Sequence, residues 1–103
     1  MEKIALVYST FGNRDDALKA LRTLMDENLA TCGNVFSPHT AVYPWKGEIR
    51  EEQEIAVLFK AAYDKKDALV SRLRAIHPYE LPCILELDSS ALPDYAGWLK
   101  NPL

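Results

Sequence analysis

The run His77-Pro78-Tyr79-Glu80-Leu81-Pro82 constrains this chain more than any other stretch. Proline has no amide donor and a fixed φ, so prolines four positions apart exclude a helix interior and a central strand there. What remains is a rigid turn. It carries an imidazole, a phenol and a carboxylate, each able to hold or move a proton or contact a cation. Everything before it must end at such a turn, and everything after it must restart from one.

The segments on either side have clear periods. Ile4 to Ser9 is a short apolar run rich in strand formers and reads as a buried strand. Phe11-Gly12-Asn13 is a turn. Ala17, Leu18, Leu21, Leu24 and Met25 then recur at helical spacing, with Asn13 as cap, Asp15 and Asp16 at the positive end of the dipole, and Asn28 at the close. Thr31 to Trp45 reads as a long strand broken or bulged at Ser37-Pro38, and Pro44 assigns its stretch to a sheet edge. Lys46-Gly47-Glu48 is a hairpin turn, and the chain returns antiparallel from Ile49 to Tyr63 with Ile55–Phe59 as its buried heart. A second helix opens at Asp64 as cap, with Leu69, Val70, Leu73 and Ile76 as its apolar stripe. Beyond the proline-framed turn, Cys83 to Leu87 is a strand. Ser89 or Ser90 then caps a short helix that admits Pro93 in its first turn.

This order predicts an α+β, ferredoxin-like sandwich: an antiparallel sheet with two helices on one face, plus a short C-terminal helix. At 103 residues the chain is one domain, spanning 1–103. The middle hairpin, at roughly 15 residues per arm, exceeds a common strand of about 5–6 and overhangs a small sheet. Its exposed edges call for a partner strand. Hydrophobic content of 49% is ample for a core, but small domains bury a modest share of their surface, so assembly would add burial.

Charge and cysteine usage narrow the function. With 12 basic and 15 acidic residues the net charge is −3, which disfavours non-specific nucleic-acid binding. No stretch is apolar enough to span a bilayer, and the first residues lack a signal-peptide profile. Cys32 and Cys83 make no dense disulfide framework. The expectation is a reduced, cytoplasmic protein. There is no phosphate-cradling glycine loop, nucleophile elbow or closely spaced cysteine pair, so no reaction is assigned and the chain is read as a non-enzyme.

Four motifs in order give the chain a recognisable likeness: Leu29-Ala30-Thr31-Cys32-Gly33-Asn34, then Tyr43-Pro44-Trp45-Lys46-Gly47-Glu48-Ile49, then Glu54 with Lys60, then His77 to Pro82. Tyr95 and Trp98 fit the closing helix. On these residues the chain resembles the CutA divalent-cation tolerance family. The resemblance implies a tightly packed homotrimer in which long hairpins join neighbouring sheets edge to edge, as in PII signalling proteins. It also implies binding of copper or another divalent cation at clefts between subunits. Some bacterial members with a proposed copper site carry a cysteine at the end of the first strand and a second histidine just before His77. Ser9 and Ile76 stand at those positions here, so only His77 of that set is present.

The expected metal donors are His77, Cys32 and Glu80. The competing roles are turn stabilisation for His77 and core packing for Cys32. Lys60, Tyr79 and Glu54, with Glu80, are expected to converge on a ligand pocket. Glu54 and Lys60 are six apart and share one face of an unbroken strand. Tyr43 and Trp45, two apart, are expected at a subunit interface. Two rival readings remain: a stable trimeric scaffold or PII-like small-ligand sensor without a metal role, and an enzyme using His77 and Tyr79 as acid and base.

Overall fold

The computed structural model describes residues 1–102, so Leu103, the last residue of the expected 1–103 domain, lies outside the described residues. The elements run β1 (Glu2–Phe11), α1 (Arg14–Asp26), β2 (Cys32–Val35), β3 (His39–Trp45), β4 (Glu48–Ala62), α2 (Lys66–Ile76), β5 (Ile84–Glu86), β6 (Ser89–Ala91) and α3 (Pro93–Lys100). The sheet order is β2-β4-β1-β5; β3 continues along β4 beyond β2, and β6 pairs with β1 beyond β5. Every pairing is antiparallel.

Side-chain alternation divides the sheet into two faces. Ala5, Val7 and Phe11 of β1 and Ile55, Val57, Phe59 and Ala61 of β4 point to one side. There they pack with Ala17, Ala20, Leu21 and Leu24 of α1 and Leu69 and Leu73 of α2. Those helix residues follow the three- and four-residue spacing of a single stripe. Val70 and Ile76 pack at its margin. On the other side a smaller cluster of Ile4, Ala96 and Leu99 seats α3 over one end of the sheet.

Local chemistry explains most boundaries. Asn13 caps α1: its side chain accepts the Asp16 amide at 2.8 Å and returns a bond to the Asp16 carboxylate at 3.1 Å. Asn28, with φ of 61°, turns the chain out of the helix. Gly33 lies under α1 so closely that a Cβ there would stand 2.7 Å from Leu21 Cδ1 and 2.8 Å from the Leu58 carbonyl. The loop joining β3 to β4 is Lys46-Gly47, with φ of 50° and 80°, the backbone of a two-residue hairpin turn that favours glycine. Pro44 sits on β3, which pairs with β4 alone among the described residues.

The break in the second strand has a defined geometry. Val35 pairs with Val57, while His39 pairs with Glu54. Four steps on one strand therefore match three on the other, which is a one-residue bulge at Phe36-Ser37-Pro38. It reverses the alternation. Odd-numbered residues of β3, Tyr43 and Trp45 included, consequently share a face with Glu54 and Glu52.

Two expected caps are corrected. Asp64 does not open α2: coiling starts one residue earlier, in a 3₁₀ turn over Tyr63–Lys65, so Asp64 lies inside the turn and no side chain caps the helix. Lys65 instead donates to the Asn28 carbonyl at 2.5 Å. Ser89 and Ser90 do not cap α3 either. They form β6, paired with Ile4 and Lys3, and Leu92 precedes a helix that starts with Pro93. Their backbone groups are committed to a ladder that sequence periodicity over three residues cannot reveal.

Candidate functional site

The proline-framed turn wraps the end of β1. His77 closes α2, its amide donating to the Leu73 carbonyl at 2.9 Å. The Tyr79 amide donates to His77 Nδ1 at 3.1 Å, so that nitrogen is bare and Nε2 carries the proton. Nε2 donates to the Thr10 carbonyl at 2.9 Å and lies 3.1 Å from Ser9 Oγ. Ser9 Oγ donates to the Cys83 carbonyl at 2.6 Å, tying the start of the last sheet edge to the same knot. The imidazole is 8% exposed and stacks on Phe11 at 4.5 Å between centroids, with the Tyr79 ring tilted against it at 5.0 Å. Burial holds its pKa below the ordinary value, against opposing pulls from the Thr10 carbonyl, Glu54 and Asp16.

Tyr79 crosses to the opposite face, where its hydroxyl donates to Glu54 Oε2 at 3.0 Å. Burial, then the bond to Glu54, pushes the phenol well above its usual range. Burial also raises Tyr8 and Cys83, with Glu54 adding to both. Near Glu54, therefore, the Tyr79, Tyr8 and Cys83 protons are held more firmly than in water.

Lys60 belongs elsewhere. Six residues along β4 from Glu54 it shares the same face but stands roughly 20 Å away at about 3.3 Å per residue. Its ammonium lies 5.8 Å from the Tyr95 ring, beside its cross-strand partner Cys32. Cys32 Sγ and Tyr95 Oη are 3.5 Å apart, and that bond together with burial pushes the Tyr95 phenol up to about 12. Thr31 Oγ1 donates to the Leu99 carbonyl at 2.6 Å, anchoring α3 over this second cluster.

Neither expected constellation assembles within one chain. The pocket of Lys60, Tyr79, Glu54 and Glu80 is reduced to the Tyr79–Glu54 pair, because Lys60 sits under α3 and Glu80 points to solvent. The metal set of His77, Cys32 and Glu80 is likewise dispersed. Cys32 lies across from the Leu6 level of β1, roughly 10 Å along that strand from Ser9, and both His77 nitrogens face hydrogen-bond partners. Among the described residues no group of three or more His, Cys, Asp or Glu is placed to hold a metal ion. Cys32 and Cys83 are both free thiols. Tyr43 and Trp45 lie out on the hairpin, Tyr43 half-buried and Trp45 exposed.

Sequence reasoning did not find Ser9, Thr10 and Phe11 as the partners of His77, nor Tyr95 as the partner of Cys32. Each pair is joined by more than 60 residues of chain, and nothing local marks it. A depression of about 210 Å³ lies at the far end of β1, beside Lys3, Tyr63, Lys66 and Glu86. Both ammoniums there approach the Tyr63 ring, at 5.5 and 4.8 Å, and each also lies near a carboxylate. It offers no net charge to a ligand and is remote from the turn.

Comparison with known proteins identifies this architecture. The family model described as CutA1 divalent ion tolerance protein matches residues 5–102. A divalent-cation tolerance protein CutA from Thermotoga maritima is 42% identical over 97 residues, covering 93% of this chain and 95% of that protein. The crystal structure of divalent ion tolerance protein CutA1 from Ehrlichia chaffeensis superposes with a TM-score of 0.90 at 33% identity, covering 96% of this chain and 94% of the other. A CutA from Archaeoglobus fulgidus, described as periplasmic, gives 0.86 at 26% identity, covering 93% and 94%. The chain belongs to the CutA1 divalent ion tolerance family.

Proposed function

We propose that this protein serves divalent-cation tolerance as a homotrimer of ferredoxin-like subunits, holding its cation or small ligand where neighbouring subunits meet. Family membership supports the cation class. One observation carries the assembly: the sheet face opposite α1 and α2 is apolar and only partly covered. Leu6, Tyr8 and Leu58 are half-buried there, and Leu85 and Leu87 are 48% and 41% exposed. Beside that face the β3–β4 hairpin projects with a free outer edge, stretching the molecule to 46 × 26 × 23 Å. An apolar sheet face and an unpaired strand edge are both relieved by further copies of the same chain.

Among the described residues of one chain no three-donor group is placed together, and in our reading the cation is held by donors from more than one copy. Glu80, exposed on the rigid turn, is the oxygen donor we assign to it, and copper specificity is proposed from the family alone. The cytoplasm is our proposed compartment, from sparse cysteine usage. No helix among the described residues is long and apolar enough to cross a membrane. The scaffold reading draws support from the internal bonding of His77, which leaves that imidazole a structural task. Titration calorimetry with Cu²⁺ and Zn²⁺, on the parent and on Glu80→Gln, separates the two. Micromolar binding weakened about tenfold or more by Glu80→Gln supports the cation reading; no heat from the parent at micromolar metal removes it.

A further inference from the structure

The β1–β4 ladder ends with Phe11 opposite Ile55, and the knot at His77 adds a side-chain tie just beyond that end. On one side is the end of β1, through Thr10 and Ser9. On the other is the base of the projecting hairpin, through Tyr79 and Glu54. Both connections run through one imidazole, whose bare Nδ1 orients the Tyr79 backbone. We propose that the His77-Pro78-Tyr79 turn is an acid-released latch: while His77 is neutral it adds a side-chain tie from the end of β1 to Glu54 where the β1–β4 ladder stops, and it lets go when His77 gains a proton.

The reason is geometric. A proton added at Nδ1 faces the Tyr79 amide, so two donors oppose each other at 3.1 Å and the turn loses its anchor. The new charge is enclosed by the Phe11 and Tyr79 rings, with the Thr10 carbonyl and Ser9 hydroxyl on the other nitrogen. Of the groups facing it, Asp16 from α1 and Glu54 from β4 favour the charged form; neither makes a hydrogen bond to the ring. Desolvation is the larger influence and favours the neutral form. Prolines at 78 and 82 stiffen the segment between them, so loss of the Nδ1 bond displaces Tyr79 as part of a unit. The Tyr79–Glu54 bond then loses its aim.

The sign of the pH effect follows. A histidine whose folded pKa is depressed binds protons more weakly in the fold than in the unfolded chain. Stability is therefore full above the ordinary value of about 6.5 and declines as pH falls below it toward the folded pKa. This inference stands on contacts within one chain and does not depend on the cation reading.

The test is a pH titration of the ¹⁵N-labelled protein from pH 8 to 4.5. It follows the His77 ring resonances and the hydrogen-exchange protection of the Tyr79 amide, corrected for intrinsic exchange. The expected result is that protection falls by up to about tenfold per pH unit between the ordinary histidine value of about 6.5 and the folded His77 pKa, and levels off below it. In Tyr79→Phe the amide keeps this acid response, while the amides around Glu54 are already loosened at pH 7.5. In His77→Asn the side-chain carbonyl accepts the amide two residues on and does not titrate, so protection is independent of pH. An imidazole that stays neutral to pH 4.5, or a Tyr79 amide still protected after His77 is protonated, overturns the latch.

Discussion

The two halves of β4 live in different surroundings. Ile55 to Ala62 are buried or half-buried between the α1–α2 layer and the opposite face, while Glu48 to Gln53 are exposed throughout. Both halves have the same backbone and the same kind of hydrogen-bonded partner. The difference is in side chains. The body half reads Ile-Ala-Val-Leu-Phe and finds a helix layer. The hairpin half reads Glu-Ile-Arg-Glu-Glu-Gln and finds only β3. The body is organised by its own burial; the hairpin holds its ladder but leaves Val42 at 62% and Ile49 at 73% exposure. An extended two-stranded ribbon of this kind is marginal alone in water and gains order from whatever packs on it.

Phe59→Ala strikes the body and should have the largest effect. Phe59 is fully buried and meets Phe11 edge-on at 6.5 Å. Removing the ring should lower unfolding stability by about 3–5 kcal/mol, read from denaturant midpoints. Trp45→Ala strikes the hairpin. It should leave the unfolding of the isolated subunit unchanged and weaken association by about 2 kcal/mol, seen in sedimentation as dissociation on dilution. A compact, undissociating monomer before any substitution would erase the contrast between the halves. Asn13→Ala, at the smallest scale, should cost about 1 kcal/mol through the lost Asp16 amide bond, whereas Asp64→Ala should cost nearly nothing. Equal costs for the two would mean that α2 has a cap after all.

Much of the body was legible along the chain because its signals are local. The Ala17–Leu24 and Leu69–Ile76 stripes, the Asn13 cap, the Lys46-Gly47 turn and the edge placement of Pro44 each depend on a few neighbouring residues. Asp64 and Ser89 both have the side chain of a cap, but Asp64 lies inside a turn that begins at Tyr63, and Ser89 is committed to the ladder with Ile4. The site was less legible. Glu54, Tyr79, His77, Lys60 and Cys32 were all marked in advance, yet their grouping was not. Glu54 and Lys60 share a face, as their spacing requires, but a strand carries same-face residues apart as surely as it aligns them.

From residues alone came the kinds of element, their order and the rigidity of the turn at Pro78 and Pro82. Those follow from φ restrictions, period and side-chain type, which each residue carries wherever it stands. The family came from the resemblance that the four motifs carry. Three-dimensional packing alone decided the rest. It gave Nε2 of His77 to the end of β1, sent Tyr79 across to Glu54, and put Cys32 under Tyr95. Contacts across more than 60 residues exist only after the sheet has brought β1, β4 and the turn together, and no local preference records them.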